Sequence, residues 1–237
     1  IMKVCTSLFV SMLLGISGHA FGQTGLSFDL GGPGENIQDH LVFSSEGVTA
    51  TATAWSVDRN QISSGFAASE VVQWSPGLGV KNSTEFITDT PYVPCYVDNQ
   101  DHFDFILFVF SQKVDIQSIT VHPSAGTFDL DASYWLGNID PALDLSGSGF
   151  GNLAAYGFGS RMDNDSFASN SPRSFGISSP TGGVNAMLIG ARIDGDGEFD
   201  RFKISGFSGV TVIPEPSSLL MGLGALGIAM RRRRRDG

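Results

Sequence analysis

Alternating carboxylates mark the segment of the chain that is best suited to metal chemistry. Asp194, Asp196, Glu198 and Asp200 are separated by single residues, and two of those residues are glycines. In a tight turn this spacing lets several oxygens converge on a hard cation such as Ca²⁺. The alternative is an acidic hairpin turn, in which the Asp-Gly pairs supply the backbone angles. The sequence leaves a calcium site and a plain turn both open.

A second acidic cluster consists of Asp98, Asn99, Asp101 and Asp104. Carboxylate and amide oxygens at this spacing are able to hold a cation. The same residues are typical of the start of a strand, where Asx side chains accept backbone hydrogen bonds. The cluster therefore predicts either a turn or a second cation site.

Aromatic side chains provide the flat faces on which sugar rings stack in binding sites. Most aromatic residues at strand positions lie in the core, where they bury a large apolar area. Tyr134 and Trp135 are singled out because they stand at a predicted strand end, just before Gly137. Burial in the core remains the general expectation for these aromatics, Trp135 is the best candidate for exposure among them, and this pair is the candidate glycan-binding site.

The residues that usually perform catalysis form no recognisable pattern. His40, His102 and His122 lack the spacing of zinc ligands, and no Gly-x-Ser-x-Gly motif accompanies them. Cys95 is expected to be a partly buried small hydrophobe. Carboxylate pairs that would suit a glycosidase are too numerous to be informative. We therefore predict that the protein is not an enzyme, with polysaccharide cleavage as the least favoured alternative.

The elements that must position these residues are β-strands. Short apolar or alternating runs recur along the core and are bounded by Gly, Pro, Asn and Asp. The predicted strands cover residues 48–57, 69–74, 103–111, 114–121, 127–135, 185–193, 200–207 and 210–213. Strands without helices predict an all-β fold, an antiparallel jelly-roll-like β-sandwich in one domain.

Three features of this pattern carry further expectations. Residues 103–110 are apolar on both faces after Asp104, so they should form a central strand that is covered from both sides. Gln112 and Lys113 are then expected to turn the chain into the next strand, so that the two strands form a hairpin. Residues 137–174 are rich in Gly, Ser and Asn, which predicts a long binding loop or a flexible crossover.

Charge excludes one class of partner. Residues 23–213 contain 22 acidic and 8 basic side chains, which leaves a net charge of −14. Nucleic acid is excluded because its phosphates would be repelled. Such acidity is compatible with cations and with neutral polymers. Cys95 is the only cysteine of this core, so packing rather than an intrachain disulfide must hold it together.

The first 22 residues have the layout of a secretory signal peptide. Lys3 precedes an apolar run at residues 8–16, and small residues follow at Gly18, Ala20 and Gly22. We expect this segment to direct export through the Sec translocon and to be removed by signal peptidase.

The last segment has three parts. Pro214, Glu215 and Pro216 end the preceding strand, and a helix can begin just beyond them. Residues 217–230 carry no charge and would span roughly 21 Å as a helix, which is short for a hydrocarbon core of ~30 Å. Five arginines follow and would stay on the cytoplasmic side of the membrane. They are Arg231, Arg232, Arg233, Arg234 and Arg235.

This tail resembles the PEP-CTERM sorting signal. The resemblance implies that Pro214, Glu215 and Pro216 are recognised by exosortase, a membrane cysteine peptidase of Gram-negative bacteria that make exopolysaccharide. It also implies a transient anchor in the inner membrane, after which the helix and the arginines are removed or exchanged.

Part of the core resembles that of many exported PEP-CTERM proteins. The similar segments are residues 77–80 and 97–110, in which Asp98, Asn99 and Asp104 match an Asp-Asn…Asp pattern ahead of a long hydrophobic strand. This resemblance implies no activity.

These features predict a signal peptide at residues 1–22, a β-sandwich core at 23–211 and a sorting signal at 212–237. The expected function is that of an exported protein of the cell surface or extracellular matrix, sorted by exosortase and associated with biofilm. The alternative is a calcium-dependent carbohydrate-binding module, for which Ca²⁺ would be the cofactor and exopolysaccharide the ligand.

Overall fold

The computed structural model describes residues 23–85, 95–123, 126–194 and 199–212. Within these residues the chain forms strands, loops and two short 3₁₀ helices, Ile62–Ser64 and Phe150–Tyr156. The strands are β1 (Gly25–Asp29), β2 (Asn36–Gln38), β3 (His40–Ser45), β4 (Val48–Asp58), β5 (Ala67–Trp74), β6 (Gly77–Lys81), β7 (Val97–Asp98), β8 (His102–His122), β9 (Ala132–Gly137), β10 (Met162–Asn164), β11 (Arg173–Gly176), β12 (Val184–Ala191) and β13 (Arg201–Thr211).

One sheet holds all of these strands, and it closes on itself. β13 pairs with β8 along one edge and, along the other, with β7, β6 and β1 in succession. Because β6 leads through β5 and β4 back to β8, these strands form a closed barrel. β12, β9 and β10 extend the sheet beyond the other edge of β8. Every pairing between the described strands is antiparallel, and the predicted all-β class is confirmed.

β8 changes its neighbours half-way along its 21 residues. The first half pairs with β4 and β12, and the second half pairs with β13 and β11. The ladder with β12 is interrupted by a bulge near the exposed residues Gln112 and Lys113. The predicted hairpin is therefore wrong, since the two halves pair with different strands and not with each other. Side-chain alternation fixes which face of a strand is buried but does not name its neighbours.

Two hydrophobic clusters lie on opposite faces of this sheet. The inner cluster is enclosed by the barrel and contains Phe108 and Phe202. The outer cluster lies on the other face of β4, β8 and β12 and contains Phe105 and Leu188. Because successive residues of a strand point to opposite faces, both faces of the first half of β8 are buried. The prediction of a central strand covered from both sides is confirmed.

The glycine-rich segment that follows β9 covers the outer cluster. Leu145, Leu153 and Phe158 are buried there. The ring of Phe150 stacks on that of Trp135, with centroids 5.9 Å apart and planes inclined by 8°. This part of the segment, predicted to be a binding loop or a flexible crossover, is thus a packed cover over the sheet.

The two ends of β13 define two poles of the domain. At its start Asp200 forms a bridge with Asp129, and we call this end the carboxylate pole. At its end the backbone N–H of Thr211 donates to the carbonyl of Thr24, and we call this end the tail pole. The 11 residues of β13 separate the two poles by roughly 33 Å.

Replacing Leu153 by Ala should destabilise the domain by about 2–5 kcal/mol, because the side chain is buried in the outer cluster and its loss leaves a cavity. Urea denaturation of residues 23–212 measures this loss. Val42→Ala is the control, since Val42 is 56% exposed and its truncation should change stability by about 0.5 kcal/mol or less. Equal effects of the two variants would contradict the assignment of residues 138–160 as a structural cover.

Candidate functional site

Three buried aspartates converge at the carboxylate pole. Asp129, Asp131 and Asp200 each offer a carboxylate oxygen, and these oxygens lie within 4.8 Å of one another. Asp129 and Asp131 precede β9, and Asp200 immediately precedes β13. We call these three residues the carboxylate triad. Its all-oxygen donor set is of the kind that Ca²⁺ selects.

Ser166 holds two members of the triad in place. Its backbone N–H donates to Oδ1 of Asp131 at 2.5 Å, and its hydroxyl donates to Oδ1 of Asp129 at 3.1 Å. The backbone N–H of Leu130 donates to the same Asp129 oxygen at 2.8 Å. The loop after β10 therefore fixes the two carboxylates that precede β9.

Asn99 fixes the third member. Its Nδ2 donates to Oδ2 of Asp200 at 2.6 Å and to the carbonyl of Arg192 at 2.9 Å. In return the backbone N–H of Asp200 donates to Oδ1 of Asn99 at 3.0 Å. One buried amide thus joins the segment after β7, the end of β12 and the start of β13.

Guanidinium groups balance part of the charge of the triad. Nη1 of Arg192 lies 3.1 Å from Oδ2 of Asp131 and 2.5 Å from Oδ1 of Asp165. Nη2 of Arg173 donates to the carbonyl of Leu130 at 2.9 Å. Burial raises the pKa of Asp131, and the negative charge of Asp129 adds to this effect. The arginines therefore offset part of the negative charge that the three carboxylates bring together.

The predicted acidic segment does not act as one unit. Asp194 is exposed, and its carboxylate pairs with Arg161 at 2.5 Å. Asp200 turns inward and joins the triad. Asp196 and Glu198 lie outside the described residues. The strands on either side, β12 and β13, pair with other strands and not with each other, so the segment is not the hairpin turn that the sequence left open.

The second acidic cluster is divided in the same way. Asp101 is exposed, whereas Asp98, Asn99 and Asp104 are buried. Nε of Arg201 lies 3.7 Å from Oδ2 of Asp98. The Asp-Asn…Asp pattern thus contributes buried polar groups that connect strands at the carboxylate pole.

Asp104 is the most deeply buried carboxyl group of the described chain. Nδ2 of Asn82 donates to its two oxygens at 3.2 and 3.4 Å. Burial raises the pKa of Asp104 well above its usual range, and the negative charges of Asp98 and Glu85 raise it further. Burial likewise raises the pKa of Asp98, and it raises the pKa of Glu85 to about 7.

The two aromatic residues singled out from the sequence are buried. Trp135 is 5% exposed and belongs to the outer cluster, whereas Tyr134 is 6% exposed and belongs to the inner one. The core alternative is therefore the one that the structure shows for this pair, and Trp135 is not exposed because the cover contributed by Phe150 occupies one face of its ring. A ring packed in this way has no free face on which a sugar could stack.

The cysteine is more deeply buried than the partial burial that was predicted. Cys95 is buried, and burial raises the pKa of its thiol to about 12. A thiol with so high a pKa is protonated at neutral pH and is a poor nucleophile.

Comparison with protein families identifies one part of the chain. Residues 212–235 match the family model of the PEP-CTERM protein-sorting motif. The chain carries a PEP-CTERM sorting signal. This motif is typical of exported, surface-sorted proteins that are processed by exosortase. Searches of the curated proteins and of the solved structures found no match for the chain.

The PEP-CTERM motif begins directly after the barrel. Val212 is both its first residue and the last described one, and its backbone N–H donates to the carbonyl of Lys113 at 3.2 Å. Pro214, Glu215, Pro216 and the arginine tail lie outside the described residues. Among the residues that are described, no helix is long and apolar enough to cross a membrane.

Sequence reasoning missed Asp129 and Asp131, although a signal for them was present. The Asp-Leu-Asp run at residues 129–131 has the same alternation as residues 194–200 and stands at the start of a predicted strand. No comparable pattern in the sequence indicated that Ser166 and Asn99 hold the triad in place. Their contacts join residues that are 35 or more positions apart in sequence.

The buried carboxyls predict that the domain is more stable at mildly acidic pH. A group whose pKa is raised on folding stabilises the fold below its unfolded pKa, and this contribution is lost as pH rises through the folded value. For Glu85 the window runs from 4.5 to about 7. The unfolding free energy should therefore increase between pH 7.5 and 5.5, and Glu85→Gln should reduce that increase by about 1–2 kcal/mol.

Urea denaturation of both proteins at the two pH values measures this difference. The lowered pKa of His122 acts in the opposite direction in this range, but it is present in both proteins and cancels in the comparison. Burial lowers the pKa of Lys203 to about 8, so the titration of this group changes the stability at a pH above the 5.5–7.5 range. An unchanged pH dependence in Glu85→Gln would refute the assignment of this group.

Proposed function

We propose that the chain is an exported precursor that is sorted by exosortase and then serves at the cell surface or in the extracellular matrix without catalytic activity. The match of residues 212–235 to the PEP-CTERM motif is the observation that carries this proposal. Removal of residues 1–22 by signal peptidase, a transient anchor at residues 217–230 and association with exopolysaccharide are its further parts. The net charge of −14 over residues 23–213 favours a soluble, mutually repelling surface domain.

Replacing Pro214, Glu215 and Pro216 together by Ala should abolish processing. The two prolines fix the backbone angle φ and remove two N–H donors, and the glutamate supplies the charge between them, so the variant loses both the shape and the charge of the motif. In a host that contains exosortase, the expected result is loss of the protein from the surface and medium fractions. Uncut precursor should accumulate in the inner-membrane fraction.

The matched control is the double variant Ser217→Ala, Ser218→Ala, which alters the adjacent residues but keeps the motif. It should be processed normally. Identical fractionation of the motif variant and the unchanged chain would refute sorting through these three residues. Because the substitutions lie outside the barrel, misfolding of the core is not expected to complicate the result.

A second candidate function is calcium-dependent binding, and the convergence of the triad oxygens within 4.8 Å favours it. In this proposal Ca²⁺ displaces Arg192 from Asp131 and is held by Asp129, Asp131 and Asp200. Asp196 and Glu198, four and two residues before Asp200, are the proposed additional ligands. The occupied pole would then bind an acidic or hydroxyl-rich polymer through the cation.

Calcium should raise the melting temperature of residues 23–212 if it binds the triad. A ligand present at 100 times its dissociation constant stabilises the folded state by about 2.7 kcal/mol. Asp131→Asn and Asp200→Asn should each remove the calcium-dependent shift, since each removes one anionic ligand. The measured quantity is the shift between calcium and chelator within each variant, so a change in basal stability does not obscure it.

Asp194→Asn is the control for general charge effects, because Asp194 is exposed and pairs with Arg161 outside the triad. It should retain the full calcium shift. The absence of any shift in the unchanged protein would exclude calcium binding and leave the sorting proposal intact. A panel of bacterial exopolysaccharides, tested with calcium and with chelator, identifies the polymer if a shift is found.

A further inference from the structure

Both ends of the described chain leave the barrel at the tail pole. The backbone N–H of Thr211 donates to the carbonyl of Thr24, and that of Val212 donates to the carbonyl of Lys113. Gly25 at the start of β1 pairs with Val210 near the end of β13. The segment that carries the sorting motif therefore starts from a fixed point on the surface of the domain.

The spacer between that point and the predicted apolar segment is short. Val212 is held by a backbone hydrogen bond, and the apolar segment begins at Ser217, five residues later. Five extended residues reach at most about 18 Å. This is roughly half of the ~33 Å over which β13 spans the domain. A domain on so short a tether cannot turn its opposite pole towards the membrane.

Charge favours the same orientation. Carboxylates outnumber guanidinium groups at the carboxylate pole, where the described acidic residues are Asp58, Asp98, Asp101, Asp129, Asp131, Asp163, Asp165, Asp194 and Asp200 and the arginines are Arg59, Arg161, Arg173, Arg192 and Arg201. A surface rich in anionic lipid repels such a pole. The tail pole carries fewer charges, which are the exposed cation Lys113 at the bend of β8, the exposed anion Glu46 in the turn between β3 and β4, and the half-buried Asp115 opposite Val210.

We propose that, before the motif is cut, the domain stands on the membrane with its tail pole against the lipid headgroups and its carboxylate pole directed outward. The surface in contact is formed by the turn at residues 45–47, where Ser45 Oγ accepts a hydrogen bond from the backbone N–H of Ser27 in β1, and by Gln112 and Lys113, where the carbonyl of Lys113 accepts from the backbone N–H of Val212. This inference rests on the proposed function, because it requires residues 217–230 to be the membrane anchor.

The orientation has a consequence for recognition. Pro214 lies two residues after Val212, whose backbone is hydrogen-bonded to the barrel. Exosortase must therefore approach the domain from the tail pole to reach Pro214. The carboxylate pole, together with the 93% exposed side chain of Phe167 in the loop after β10, faces the exterior and is free to meet matrix partners.

Two single-cysteine variants of the full chain test the orientation. In a Cys5→Ser, Cys95→Ala background, Gln112→Cys reports on the tail pole and Phe167→Cys on the carboxylate pole. Each is labelled with a fluorophore and reconstituted into vesicles of phosphatidylethanolamine and phosphatidylglycerol, some of which carry nitroxide headgroups. We expect the nitroxide lipid to remove most of the fluorescence at position 112 and almost none at position 167.

A matched control lengthens the tether. Insertion of 20 Gly and Ser residues after Val212 gives a flexible spacer with a mean end-to-end distance of about 25 Å, so the difference between the two labels should largely disappear. Equal quenching of the two labels on the unmodified tether, in protein that floats with the vesicles, would overturn the orientation and leave exosortase sorting untouched. Failure of the full chain to float with the vesicles would overturn the membrane anchor, and with it both the orientation and that part of the proposed function.

Discussion

The pairing of β13 along both of its edges is the constraint on which the rest of the structure depends. On one edge β13 follows the second half of β8 from Lys203 to Thr211, and on the other it meets β7, β6 and β1 in turn. This arrangement closes the barrel without a disulfide within the described residues, because Cys95 is the single cysteine among them. It also fixes both poles of the domain. The start of β13 brings Asp200 to Asp129, and its end sets the point from which the sorting segment departs.

Closure of the barrel brings buried polar groups together at the carboxylate pole. Where β7, β9, β12 and β13 meet, side-chain hydrogen bonds take the place of part of the backbone hydrogen-bond ladder. The single side chain of Asn99, just after β7, bonds both to the end of β12 and to the start of β13. Buried carboxyls such as Asp104 cost stability when they are charged, because removal from water disfavours the ionised form. Such groups can nevertheless specify one arrangement among several similar packings. We infer that the Asp-Asn…Asp pattern fixes the register of strands that hydrophobic burial alone would leave free to shift.

Local features of the fold were predictable from the sequence, and long-range ones were not. The apolar run at residues 103–110 identified a strand buried on both faces, since alternation and burial are properties of a single segment. The partners of that strand depend on closure, and for this reason the predicted hairpin with residues 114–121 was wrong. The sequence also could not show what covers Trp135: its strand end is covered by Phe150, from a glycine-rich segment whose composition gave no sign of packing. In the triad, Asp200 was found as part of an acidic run, whereas Asp129 and Asp131 become its partners only through the bridge between residues 129 and 200.

The sorting signal was the part of the chain that could be predicted best from the sequence, because its recognition depends on the order of residues and not on tertiary contacts. A short motif, an apolar segment and a basic tail are local properties of the sequence, and they can be recognised whatever fold the core adopts. The core and the tail are also separated physically. The carboxylate pole lies roughly 33 Å from the tail pole, several times the Debye length of ~8 Å at physiological ionic strength. A change of charge at the carboxylate pole therefore has little electrostatic effect at the tail pole, from which the sorting segment departs.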